Sequence, residues 1–213
     1  SGKENMADTI KFYRRNLPHW LVTDHSYFVT IRLKGTLPKE IVAEHKQERE
    51  QLRTSGADRK LLDEARRRQF RKLEQMLDSL DQEKRWLDNC TVAAMVMENL
   101  EWLRGRGWKI YAATVLSTHI HLLMRNEEGS SAGLLDDLGQ YKSHTAKLAN
   151  TILGRSGPFW AREQFDHWIR SREKFESTLR YIVLNPVKAH RAKAWRDWPW
   201  TVVDEAVHDL LPE

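Results

Sequence analysis

Two adjacent runs, Lys109 to Leu116 and Thr118 to Arg125, constrain this chain more than any other part of it. Both are rich in β-branched and aromatic residues, the composition of strands, and Ser117 between them marks the turn of a hairpin. Side chains alternate along a strand, so His119, His121 and Leu123 fall on one face and Ile120 and Leu122 on the other. One face therefore supplies apolar residues to a core. The other carries two imidazoles side by side, spaced to share one cation. Solvated or hydrogen-bonded strand histidines give the same His-x-His pattern, so the metal reading depends on further residues converging there.

The remaining composition narrows the classes. A chain of 213 residues suits a single domain, 1–213, with an insertion over about 38–86 and a basic, Trp-rich C-terminal segment over 155–200. No apolar run approaches a bilayer span and no signal-peptide core is visible, which predicts a cytoplasmic protein. One cysteine, Cys90, excludes an internal disulfide and a multi-Cys zinc site. The net charge of +5 is uneven: residues 101–200 hold 16 Lys and Arg against 10 Asp and Glu, and the rest is close to neutral. In that half, basic residues are interleaved with Trp160, Trp168, Trp195, Trp198 and Trp200. Such a mixture suits a groove that follows phosphates and stacks bases, or equally a tryptophan core with a charged rim.

Residues 1–20 form a basic lead-in, Lys11-Phe12-Tyr13-Arg14-Arg15-Asn16, without a clear pattern. Tyr27 to Leu33 reads as a strand closed by Lys34-Gly35. A helical hairpin follows, over roughly Pro38 to Arg53 and Asp58 to Leu80 with Gly56 in its turn. Its second helix carries a stripe of Leu62, Ala65, Gln69, Leu73, Met76 and Leu80. Arg66, Arg67, Arg68, Arg71 and Lys72 lie around the stripe as a solvated face or a nucleic-acid contact. The next helix, about Asn89 to Arg104, buries Val92, Ala93, Val96, Leu100 and Leu103 and ends at Gly105 and Gly107. After the strand pair, Ser130 or Ser131 caps a helix to about Leu153, with Leu134, Leu138, Tyr141, Thr145, Leu148 and Ile152 on one face. The order strand, helix, strand, strand, helix predicts an α+β fold of split βαβ, ferredoxin-like type: an antiparallel sheet backed by helices, with the helical hairpin inserted after the first strand.

The last helix, capped by Ser171, has a buried stripe of Phe175, Leu179, Ile182 and Val183 and is expected to stop at Pro186. Tyr181 and Asn185 lie one turn apart on a neighbouring flank and point the same way. A phenol and an amide oxygen beside two imidazoles would make a metal site with a nucleophile next to it. Alone, such a tyrosine reads as half-buried packing and Asn-Pro as a helix stop. Among the other tyrosines, Tyr27 and Tyr111 sit in strand patterns and Tyr13 in the lead-in. Tyr141 is the rival, but it lies mid-stripe on an apolar face and is followed at i+4 by Thr145 rather than an amide.

Four segments together carry a resemblance: Ser117-Thr118-His119-Ile120-His121-Leu122-Leu123, Gly157-Pro158-Phe159-Trp160, Phe165-Asp166-His167-Trp168-Ile169-Arg170, and Tyr181-Ile182-Val183-Leu184-Asn185-Pro186-Val187-Lys188-Ala189. In this order they resemble the single-tyrosine HUH transposases, and within them the REP-associated tyrosine transposases, over roughly Tyr27 to Trp200. Ser117-Thr118 replaces the family's usual Pro-Asn, and His190 its usual Gly. The resemblance implies an HUH endonuclease core in which His119, His121 and Asn185 hold Mg²⁺ or Mn²⁺. Tyr181 is the implied nucleophile, forming a 5′-phosphotyrosine, with His167 or Lys188 as candidate helpers. The donor set fits Mg²⁺ or Mn²⁺ better than zinc, which usually recruits Cys or further His. The implied partner is single-stranded DNA with hairpins of the repetitive extragenic palindromic kind, in a nucleoid-associated protein. Lys142, Arg155, Arg162, His167, Arg170 and Lys188 are the candidate DNA contacts. A monomer is expected, with a homodimer as the alternative. Two other classes stay open: a small relaxase or replication initiator, which the absence of a helicase segment disfavours, and a non-catalytic DNA-binding protein of the same fold.

Overall fold

The structure, a computed structural model, describes residues 9–14, 18–22, 25–37, 84–129, 133–162 and 164–212, with isolated positions at 47, 51, 54, 61, 68, 72 and 76. Those isolated positions are all helical, with Arg68 and Lys72 exposed and Met76 half-buried. The rest of the expected helical hairpin lies outside the described residues.

The strands are β1 (Thr9–Arg14), β2 (Pro18–Val22), β3 (Tyr27–Arg32), β4 (Trp108–Val115), β5 (His119–Asn126), β6 (Phe165–Trp168) and β7 (Thr201–Val203). The helices are α1 (Cys90–Glu98), α2 (Leu100–Gly105), α3 (Leu134–Ile152) and α4 (Arg172–Lys188). An antiparallel sheet of order β6-β3-β5-β4-β7 forms the centre, and β1 pairs with β2 in a separate antiparallel ribbon. Without β7 the order is that of a ferredoxin-like split βαβ fold, with α1 and α2 leading from β3 to β4 and α3 from β5 to β6. The expected α+β architecture is the observed one.

Strand alternation decides what each face of the sheet meets. Tyr27, Val29 and Ile31 of β3 and Ile120, Leu122 and Met124 of β5 face one way, and with the adjoining Leu33 they form a core with Val92, Ala93, Val96, Leu100, Leu103, Leu134, Leu138, Tyr141 and Ala149 of α1, α2 and α3. The opposite face presents Phe28, Ala112 and Leu123 to Leu179, Ile182 and Val183 of α4. β4 serves both faces through a bulge between Ile110 and Ala112. The extra residue lets Tyr111 and Ala112 both lie on the α4 side and returns Ala113 and Val115 to the larger core.

Two elements depart from the sequence reading. The helix expected over about 89–104 is broken at Asn99, whose side-chain amide donates to the Met95 carbonyl at 2.8 Å and competes with the backbone there. Ile152, expected on the buried face of α3, is exposed, and Ala149 takes its place one turn earlier. The serines expected to cap α3 lie outside the described residues, and Gly133 stands at the cap without a side-chain bond. Among the described residues no helix is long and apolar enough to cross a membrane.

Candidate active site

The imidazoles of His119 and His121 emerge from β5 on the α4 side of the sheet, both buried. Their Nε2 atoms lie 3.0 Å apart. Each ring is held from behind: His119 Nδ1 is 2.9 Å from Thr118 Oγ1, and His121 Nδ1 is 2.9 Å from Thr30 Oγ1. Register explains the second contact, because Thr30 of β3 stands directly opposite His121. Burial pushes the His121 imidazole down to about 3, so it is neutral at physiological pH and keeps the lone pair a metal ligand needs.

α4 brings the other half of the site. Ser171 caps it by accepting from Lys174 N, as expected, which fixes the helical phase and puts Thr178, Leu179, Ile182, Val183 and Asn185 on the buried side. Tyr181 is half-buried, its ring centroid 5.5 Å from that of His121 and 5.9 Å from that of Phe28, both edge-on. Asn185, one turn later, is 1% exposed, and its Oδ1 has no hydrogen-bond partner among the described residues. A buried amide oxygen without a donor is costly. Here it is a lone pair on the same helical flank as a phenol whose ring packs against that of His121.

Pro186 does not stop α4. The ring removes only one N–H, and the turn is closed around it by Ala189 N to Asn185 O at 2.9 Å and Arg191 N to Pro186 O at 2.8 Å. The extra turn carries Lys188 back over the Tyr181 ring, its Nζ 5.3 Å from the centroid. Tyr141 is the opposite case. Its hydroxyl donates to Val96 O at 2.8 Å in the larger core, and burial pushes its phenol well above the ordinary value. The sheet separates it from the histidine pair.

Among the described residues no group of three or more His, Cys, Asp or Glu is placed to hold a metal ion. The Asn185 amide oxygen, on the Tyr181 flank of α4, is the candidate for a third donor. The imidazole spacing suits that use: two nitrogens bound at right angles to one cation, each about 2.1 Å away, stand about 3.0 Å apart. It suits an N–H···N hydrogen bond equally well.

The candidate DNA contacts scatter. His167 of β6 stands opposite Phe28, on the histidine side of the sheet, and is half-buried. Arg170 is exposed and lies over the Trp168 ring at 4.6 Å, and Arg162 is exposed. Arg155 covers the Trp86 ring at 3.7 Å and donates to Asn150 Oδ1. Lys142 is buried, with its ammonium on Arg162 O at 2.8 Å and Gln164 Oε1 at 3.2 Å. It therefore fastens a loop to α3 instead of meeting solvent. Most tryptophans of the basic half pack on the cores: Trp160 is buried, Trp168 and Trp200 lean on the larger core, and Trp198 Nε1 donates to Val115 O.

Sequence reading missed Thr30 and Thr118. Thr118 could have been noticed beside His119; Thr30 is 91 residues from its partner and is placed only by register.

No protein-family model matches the chain, and neither does any curated protein. Among solved structures, the chain is similar to that of the REP-associated tyrosine transposase bound to a REP hairpin. The TM-score is 0.52 and the identity 16%, over 95% of this chain and 89% of that one. The likeness is one of fold, and it extends over nearly the whole of both chains.

Proposed function

We propose that this protein is a metal-dependent tyrosine nickase and strand transferase of the HUH type, acting on single-stranded DNA at or near hairpins. One observation carries the reading: two buried imidazoles have facing Nε2 atoms, the Tyr181 ring packs edge-on against that of His121, and Asn185, one turn along, has a buried oxygen without a donor among the described residues. The structural neighbour, a tyrosine transposase bound to a REP hairpin, supports the choice of substrate class.

In this reading Tyr181 Oη attacks the scissile phosphorus. A Tyr181 O–P bond forms, the P–O3′ bond breaks, the phenol proton leaves to solvent, and the departing 3′ oxygen takes up a proton. The product is a 5′-phosphotyrosine and a free 3′-hydroxyl, and the reverse reaction rejoins a strand. A divalent ion such as Mg²⁺ or Mn²⁺, held by His119, His121 and Asn185, would supply polarisation of the non-bridging phosphate oxygens. Lys188, above the Tyr181 ring, places positive charge where the phenol becomes negative. Arg162, Arg170, His167 and Arg155 remain the candidates for guiding the strand; Lys142 is engaged internally. A monomer suffices for this chemistry, since one chain supplies every named group.

The test is to incubate labelled hairpin DNA with the protein and Mn²⁺ and to look for a denaturation-resistant adduct. Tyr181→Phe should abolish it and Tyr141→Phe should leave it. Hairpin binding by the unmutated protein without an adduct would assign the chain to the non-catalytic DNA-binding class instead.

A further inference from the structure

The facing Nε2 atoms raise a question about protons. As two ligands of one cation, both imidazoles must carry their proton on Nδ1, leaving the Nε2 lone pairs turned towards each other. With no cation between them, those lone pairs repel at 3.0 Å in a buried site. The repulsion disappears if one ring carries its proton on Nε2 and donates it to the other. That ring then has a bare Nδ1, which needs a donor in place of the acceptor it had before.

A hydroxyl is the uncharged group that serves both states, because it accepts from an N–H and, after rotating about its C–O bond, donates to a bare nitrogen. A carboxylate or a backbone carbonyl, which only accepts, would lock both rings in the ligand form. Here each Nδ1 has a threonine hydroxyl at 2.9 Å, Thr118 on His119 and Thr30 on His121, and both threonines are buried. The third hydroxyl beside His121, that of Thr114 on the other neighbouring strand, is engaged with Thr201 Oγ1 at 2.8 Å.

We propose that Thr30 and Thr118 are positioning residues that allow the histidine pair to switch tautomer. In the metal-free protein one threonine donates to its Nδ1 and the rings are hydrogen-bonded to each other. When a divalent cation binds, both threonines accept and both Nε2 lone pairs turn to the ion. One ring moves its proton from Nε2 to Nδ1 by exchange with water, so the charge of the pair does not change. The second state rests on the metal reading given above; the first does not.

The experiment is long-range ¹H–¹⁵N correlation on protein labelled at histidine nitrogens, without metal and with Mg²⁺, alongside Mn²⁺ titration followed by electron paramagnetic resonance. Metal-free protein should show one Nε2–H ring and one Nδ1–H ring, and Mg²⁺ should convert both to Nδ1–H. Valine matches threonine in shape. Thr30→Val should therefore hold His121 in the Nε2–H form, since a buried bare nitrogen is tolerated better than a buried unpaired N–H. Thr118→Val should do the same to His119. Each should weaken Mn²⁺ binding by about 10–100-fold, and Thr30→Ser should restore it. Two Nδ1–H rings in metal-free protein that takes up Mn²⁺ would overturn the switch and leave the metal reading standing. Mixed tautomers in protein that takes up neither ion would overturn the metal reading and the second state with it. Valine variants with unchanged tautomers and affinity would remove the threonines from the account.

Discussion

Asp88 accepts hydrogen bonds from both Arg191 and Ser117, the latter at 2.7 Å. Arg191 lies three residues beyond α4, and Ser117 lies two residues before His119. One carboxylate thus joins the end of the Tyr181 helix to the root of the histidine strand. Arg85 binds its second oxygen at 2.7 Å, and the Arg191 guanidinium sits 5.4 Å from the centre of the Trp198 ring. The Asp88 and Arg191 side chains are 31% and 28% exposed, which limits the stabilisation. Asp88→Ala should cost only about 1 kcal/mol in urea unfolding. Adduct formation should slow by about tenfold, because the end of α4 is freed relative to His119. An unchanged adduct rate with the same small loss of stability would make the contact a surface staple with no bearing on the site.

Asn185→Leu separates binding from packing. The amide oxygen has no donor among the described residues, so an apolar side chain of similar size should change metal-free stability by no more than about 1 kcal/mol in either direction. The rise in melting temperature that Mn²⁺ gives the unmutated protein should disappear. If Mn²⁺ still stabilises the variant fully, Asn185 is not a ligand.

Acid should destabilise the fold through His121. The unfolded chain takes up a proton on this residue near pH 6.5, while burial holds the folded imidazole neutral down to about pH 3. The contribution is complete above pH 6.5 and is lost as the pH falls from there towards 3, by up to about 1.4 kcal/mol per unit. Urea midpoints between pH 7 and 5, where carboxylates stay ionised, give the cleanest window. His121→Gln should flatten the slope there by about one proton; an equally steep slope in the variant would assign the acid sensitivity to other groups.

His190 adopts φ of +54°, the only such residue besides glycines among those described. It follows the end of α4, where the chain reverses and His190 N donates to Val187 O at 3.0 Å. A left-handed conformation strains a side chain with a Cβ and costs glycine nothing. His190→Gly should raise the unfolding free energy by about 1 kcal/mol, measured by chemical denaturation. A loss of stability would mean that the imidazole makes a contact outweighing the strain.

The sequence announced elements whose structure is encoded in their own side chains. β3, β4 and β5 read as strands because alternation and β-branching run through them, and α3 and α4 because apolar residues recur at helical spacing. Alternation alone put His119 and His121 on one face, and i,i+4 spacing put Tyr181 and Asn185 on one flank. Phe165–Trp168 and Thr201–Val203 were not legible as strands. Segments of four and three residues carry little pattern, and their form comes from neighbours: β6 from pairing with β3, β7 from pairing with β4. The β1–β2 ribbon in the basic lead-in likewise announced nothing. Pro186 misled because the ring deletes a single N–H to the preceding turn, and the bonds from Ala189 to Asn185 O and from Arg191 to Pro186 O carry the helix on past it. Lys142 misled because a cation in a basic stretch looks solvent-bound until the loop that covers it is known.

The last strand, β7, has a consequence for handling the protein. Ala112, Ala113 and Thr114 pair with Val203, Val202 and Thr201, so the final segment of the chain caps what would otherwise be a bare sheet margin. Shortening the chain before Thr201 would strip that cover and offer a ready template for self-stacking. Aggregation after C-terminal trimming would then reflect an uncapped β4 together with the loss of Val203, Val207, Leu210 and Leu211 from the α4 side of the sheet.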